Sequence, residues 1–113
     1  MVVRLPEQPE RLDRILGALS DRTRRDILAR VLEREESVSA LAERYPMSFA
    51  AVQRHVAVLE RAGLVTKRTQ GRERLVRGQL ETTRAVNRLL DKYEEIWRGR
   101  IARMDQLLGE TKE

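Results

Sequence analysis

The stretch Ser48 to Arg77, SFAAVQRHVAVLERAGLVTKRTQGRERLVR, admits few folds: it reads as a helix, a glycine stop, a strand, a tight turn and a second strand. With Val52 as zero and a helical step of about 100° per residue, Val56, Leu59 and Ser48 fall within about 40° of one direction, which is the inward face. Ala50, Gln53, Arg54, Ala57 and Arg61 occupy the opposite face. Small alanines let a helix approach a groove floor closely, while Gln and Arg can form two-pronged hydrogen bonds with base edges. Gly63 can take the left-handed conformation that ends a helix without a Cβ clash. Leu64 and Val65 then open a strand, and Gln70-Gly71 marks a turn between two short polar segments. The expected order is a recognition helix over 48–62 followed by a β-hairpin wing over 65–77.

The charge is concentrated in the same place. From Ser48 to Gln79 there are seven basic residues, Arg54, Arg61, Lys67, Arg68, Arg72, Arg74 and Arg77, against two acidic ones, Glu60 and Glu73. The whole chain carries 23 basic and 18 acidic residues for a net charge of +5. The remainder therefore cancels, and the basic excess lies in this one unit, as expected of a surface that binds phosphates.

At 113 residues the chain makes one domain, 1–113. Met1 to Pro9 is expected to be an irregular arm. Leu12, Ile15, Leu16 and Leu19 then recur at helical spacing up to about Ser20. Asp21 is placed to cap a second helix whose buried stripe is Ile27, Leu28, Val31 and Leu32. Arg22, Arg24 and Arg25 crowd its first turn, either as a solvated face or as a second phosphate-contact cluster. Glu33 to Glu36 is a polar break, with Glu35 and Glu36 taken as surface. Ser39 is expected to cap a short helix through about Tyr45, with Leu41 and Ala42 inward; Pro46 closes it and Ser48 caps the next. Two such helices, the second with a groove-type face, form a helix-turn-helix pattern, and the basic hairpin makes it winged.

From Glu81 to Leu108, Val86, Leu89, Leu90, Tyr93, Ile96, Trp97, Ile101, Met104, Leu107 and Leu108 repeat at three and four residues. That helix is longer than so small a domain can cover, and a second copy of the chain is the expected cover. The division is 10–78 for the winged unit and 79–109, with 10–19, for dimerisation. Expected interface residues are Leu12, Ile15, Leu16, Leu89, Tyr93, Ile96, Trp97, Ile101, Met104 and Leu108, with Tyr93 and Trp97 as anchors.

Three stretches also resemble the ArsR-type winged-helix repressors: Ala18 to Leu28 with its Asp-x-Thr-Arg-Arg, Val38 to Glu43, and Val52 through Val65 with its Ala-Gly-Leu-Val, followed by Gly71-Arg72. The resemblance spans about Glu10 to Leu108. It implies a homodimeric DNA-binding repressor, dimerised by its first and last helices, that leaves its operator when a signal is sensed. Gln53 stands where the family often has Ser, so an operator sequence does not carry over. The cysteine motif of metal-sensing members is missing, and Asp91, Glu94 and Glu95 have no histidine beside them, which points to a member without a metal site.

The expected fold is mainly α with a small β-hairpin wing and a long C-terminal helix. The expected partners are double-stranded DNA and a second copy. The residues assigned to DNA are Ser48, Phe49, Ala50, Gln53, Arg54, His55, Lys67, Arg68, Arg72 and Arg74. His55 reads first as a packed or hydrogen-bonded flank residue and second as a phosphate contact. Phe49 either wedges against Tyr45 and Pro46 or touches a thymine methyl. With no cysteine, no signal-like apolar run and no span of about 18 apolar residues, a soluble cytoplasmic protein is expected. No catalytic constellation and no cofactor site is legible, and neither is an effector. The rival reading is a helical protein-interaction module without specific DNA binding.

Overall fold

The computed structural model describes residues 9–111. The arm expected before Pro9 lies outside the described residues. The elements run α1 (Pro9–Leu19), α2 (Arg22–Glu33), β1 (Glu36–Ser37), α3 (Val38–Ala42), α4 (Phe49–Arg61), β2 (Val65–Gln70), β3 (Glu73–Gly78) and α5 (Leu80–Thr111).

Each boundary has a local cause. Asp21 is extended and its carboxylate accepts from the Arg24 amide at 3.1 Å, starting α2 as expected. Ser48 does the same for α4, accepting from the Ala51 amide at 3.1 Å. At the far end of α4 the Gly63 amide donates to Glu60 O and the Leu64 amide to Leu59 O, with Gly63 at φ +77°. That paired closure is the Schellman stop, and the two leucines it brings together are both fully buried.

Three expectations are corrected here. The polar break contains a strand: Glu36 pairs with Val76 and Ser37 with Leu75, giving a three-stranded antiparallel sheet of order β1-β3-β2. Because that pairing holds Ser37 extended, Ser37 and not Ser39 caps α3, accepting from the Ala40 amide at 3.0 Å, and the helix ends at Ala42 before Tyr45. The wing loop centres on Gly71 and Arg72, between paired Gln70 and Glu73, with Gly71 at φ +62°. A positive φ at the first central position, which glycine takes without a Cβ clash, is what the two-residue hairpin loops require.

The core joins α1 to α4 with the root of the wing. Ile15, Ile27, Leu41, Val52, Val56, Leu59, Leu64, Val65 and Val76 are all fully buried in it. Leu32 is not part of it: it is 42% exposed, because α2 turns it toward β3. There the backbone of Gly78 runs so close that a Cβ would lie 2.7 Å from Leu32 Cδ2 and 3.0 Å from its Cα.

At about 1.5 Å per residue, the 32 residues of α5 reach about 48 Å. Its start is anchored: Thr82, itself buried, donates to Gly63 O at 2.6 Å, and Ala85 and Val86 pack on the core. Its remainder projects, and the chain measures 74 × 35 × 21 Å with a radius of gyration of 20.2 Å, against about 13 Å for a compact chain of this length. Among the described residues no helix is long and apolar enough to cross a membrane.

Gly78→Ala should lower stability by about 1–3 kcal/mol in urea unfolding, as overpacking does. Adding Leu32→Ala should recover part of that loss, because two of the three closest atoms belong to the leucine side chain.

Candidate nucleic-acid interface

The recognition helix expected from sequence is present, and its two faces divide as the periodicity requires. Val52, Val56 and Leu59 are buried, Ala50, Gln53, Arg54 and Arg61 are exposed, and Ala57 is half-buried. Ser48 is exposed, and its hydroxyl is used in the cap. Phe49 remains 47% exposed at the start of the helix.

Beside it stands the wing, separated by a cleft of about 140 Å³ whose walls include Phe49, Gln53, Lys67, Arg72 and Arg74. Strand register explains which wing side chains reach it. Lys67 pairs with Val76 and Thr69 with Arg74, so these four share the face turned to α4. Arg68 pairs with Leu75 and Thr66 with Arg77, which puts both arginines on the reverse face. Ser39 also lines the cleft; sequence reasoning missed it by assigning its hydroxyl to a cap that Ser37 makes instead.

Partnering then separates the basic residues. Arg68 donates Nε and Nη2 to the two carboxylate oxygens of Glu35 at 3.0 and 2.8 Å. That fork pulls the Glu35 carboxyl below its ordinary range and raises Arg68. Arg68 is thus not gathered with the other wing cations, contrary to expectation. Lys67 sits 3.2 Å from Glu60. Arg54, Arg72 and Arg74 carry no hydrogen bond or ion pair from their side chains among the described residues.

His55 does not face the cleft. Its Nδ1 lies 3.2 Å from Arg24 Nη1, and a guanidinium only donates, so Nδ1 accepts. Arg24 further donates to Ala18 O at 2.8 Å and Gly17 O at 3.1 Å, while Arg25 donates to Leu19 O at 2.8 Å. These carbonyls close α1, where its own i+4 amide ladder runs out, and Gly17 O also accepts from the Ser20 amide at 3.2 Å and the Ser20 hydroxyl at 2.7 Å. Arg24 and Arg25 therefore act as a C-terminal cap for α1, a role neither of the sequence readings assigned to them.

The turn between α3 and α4 is fixed to α2 by Tyr45, whose hydroxyl donates to Asp26 Oδ2 at 2.6 Å, where Arg30 Nε also donates at 3.0 Å. The Tyr45 bond, with that of Arg30, holds the Asp26 carboxyl below its usual range. Burial, reinforced by Asp26, pushes the Tyr45 phenol up to about 12.

The expected dimer residues divide in the same way. Ile15 is 0% exposed inside its own domain, so it cannot contribute an intermolecular contact. Leu12 and Leu89 are half-buried. Leu16, Tyr93, Ile96, Trp97, Ile101, Met104 and Leu108 are exposed, and Arg100 lies over the Trp97 ring at 5.6 Å.

A capped helix pair locked by a side-chain network, a second helix with an open polar face and an adjacent basic hairpin define a winged helix-turn-helix protein. A family model described as a helix-turn-helix domain matches residues 19–68. The crystal structure of an ArsR family transcriptional regulator aligns with a TM-score of 0.79 at 33% identity, covering 83% of this chain and 97% of that one. An ArsR-like transcriptional regulator from Rhodococcus sp. RHA1 aligns at 0.75 and 33%, covering 87% and 92%. The solution structure of a homodimeric winged helix-turn-helix DNA-binding domain from Mycobacterium bovis aligns at 0.64 and 21%, covering 84% and 92%, a likeness of fold. No curated protein matches the sequence. The chain belongs to the ArsR family of transcriptional regulators and is a DNA-binding regulator.

Tyr45→Phe should cost about 0.5–1.5 kcal/mol of stability at neutral pH, the usual worth of one hydrogen bond. The folded-state value of Asp26 is depressed below 3.8, so this contribution is present above that pH and lost as pH falls through the folded-state value. Wild type and variant unfolding curves should therefore converge as pH falls below the ordinary carboxylate range.

Proposed function

We propose that the protein is a homodimeric repressor that binds an imperfect inverted repeat, each copy laying α4 in the major groove and its wing along flanking phosphates. The observation that carries this reading is exposed Gln53 on α4 across the cleft from Arg72 and Arg74, which have no side-chain partner among the described residues, with exposed Arg54 next to Gln53 on the same helix. Gln53 and Arg54 supply base-edge contacts, Ala50 allows close approach and the exposed ring of Phe49 suits a thymine methyl. Ser48 presents the start of the helix, and Arg72 and Arg74 serve the phosphates, with Lys67 on the same face but paired with Glu60. Arg68 and His55 leave the direct set, since Glu35 and Arg24 hold them.

Dimerisation is supported by the apolar stripe of α5, exposed at Tyr93, Ile96, Trp97, Ile101 and Met104, an extent that monomers rarely leave in water. The seam runs from Leu12 and Leu16 through Leu89 and along this stripe to Leu108. The homodimeric Mycobacterium bovis domain has the same fold. Two copies must set their recognition helices about 34 Å apart to meet successive major grooves. Occupying a promoter excludes polymerase without an activation surface, which favours repression, and the workplace of such a protein is the cytoplasm.

Operator affinity should fall with salt at a log-log slope of about −5 to −9 for the dimer. Arg54→Ala should lose about 1–3 kcal/mol and relax discrimination at one base pair, whereas Arg72→Ala should weaken all duplexes alike and flatten the slope by about one unit. Arg68→Ala should change affinity less than Arg72→Ala, because its charge is already paired; gel shifts on matched and scrambled duplexes check all three. Trp97→Glu should convert the dimer to a monomer in sedimentation and abolish the tight operator complex. A wild-type monomer with no duplex affinity at low salt would favour the protein-interaction reading.

A further inference from the structure

On the reverse face of the wing a hollow of about 440 Å³ opens between the end of α2, the two wing strands and the start of α5. Small-ligand sites occupy about 300–1,000 Å³. One wall is apolar: Leu32 and Leu80 are 42% and 56% exposed there. The other carries Arg34, Arg68 and Arg77 against Glu33 and Glu35. Both oxygens of Glu35 are taken by Arg68, while the side chains of Arg34 and Arg77 have no hydrogen bond or ion pair among the described residues. Gly78 lies between the walls, and any side chain there would run into Leu32.

We infer that this hollow binds an amphipathic anion, its carboxylate or phosphate head held by Arg34 and Arg77 and a short apolar chain laid against Leu32 and Leu80. An exposed ion pair alone contributes little, and two half-covered leucines offer little area. A ligand with both ends gains from both walls.

The regulatory consequence rests on the DNA-binding reading. β2 and β3 carry Arg68 and Arg77 on this face and Lys67 and Arg74 on the other, so a bound anion cancels part of the field the wing presents to phosphates. Occupancy lowers operator affinity.

Calorimetry on the DNA-free protein with octanoate, octyl phosphate, inorganic phosphate and octanol tests the site. The two octyl anions should bind, the tighter of them identifying the head group, while phosphate and octanol bind at least about tenfold more weakly, the factor for each 1.4 kcal/mol. Arg34→Gln with Arg77→Gln should remove octyl-anion binding, and Leu80→Ser, at an exposed position, should weaken it independently; ligand-free unfolding curves confirm that each variant folds. Absence of binding at millimolar octyl anion, equal binding of inorganic phosphate, or retention by the double variant overturns the assignment. Saturating octyl anion should weaken the operator complex by about fivefold or more in wild type and not in the double variant. An octyl anion that binds without changing duplex affinity overturns the regulatory half. A protein that binds octyl anion but no duplex under any condition sinks the DNA-binding reading and leaves the site standing.

Discussion

The joint at Gly63 and Leu64 is the constraint on which the arrangement of the molecule rests. The left-handed turn there ends α4 by satisfying the carbonyls of Leu59 and Glu60 and sends the chain at once into β2. The carbonyls it leaves are used where the last helix begins: Gly63 O accepts from the Thr82 hydroxyl in its first turn and Leu64 O from the amide of Gln79, the residue just before it. Recognition helix, wing and long helix thus meet within two residues. A side chain at Gly63 would have to hold φ +77° beside Thr82 Oγ1, 3.5 Å from its Cβ, so backbone conformation more than space makes glycine necessary there.

Much of this was legible in the sequence because it rests on periodicity and on residue types with one conformational use. The stripes of α1, α4 and α5, the caps at Asp21 and Ser48 and the stop at Gly63 follow from spacing and stereochemistry. What escaped detection is what depends on distant partners. A two-residue strand has no alternation to betray it, so β1 is visible only once β3 lies beside it, and the misplaced cap at Ser39 follows from that omission. Leu32 and Ile15 each occupy a helical apolar stripe, yet one ends exposed beside Gly78 and the other fully buried in its own domain. Periodicity fixes which side of a helix is apolar, and tertiary packing decides what covers each position along it.

Charge counting has a similar limit. The basic excess of Ser48 to Gln79 is real, but a count treats every cation as available to phosphate. The fold allots Arg68 to Glu35 and Lys67 to Glu60, and upstream it allots Arg24 and Arg25 to the terminal carbonyls of α1. The Asp-x-Thr-Arg-Arg motif is thereby explained locally: its acid opens α2 and its arginines close α1. Of the cations in that stretch, Arg54, Arg61, Arg72, Arg74 and Arg77 remain without a side-chain partner among the described residues, and of these only Arg72 and Arg74 line the cleft beside α4 while Arg77 faces the reverse side of the wing.

The arginine cap also links two faces of the winged unit. α1 turns Ile15 and Ala18 into the core and leaves Leu16 outward, where the proposed second copy sits. Its last carbonyls are gripped by Arg24, and the same guanidinium holds His55 on α4. Displacement of α1 at the dimer seam therefore cannot be absorbed by a loose loop, because the hydrogen bonds of one side chain tie it to the helix that carries Gln53 and Arg54. In the proposed dimer the packing of the two copies would thereby be coupled through Arg24 to the position of α4 in each copy.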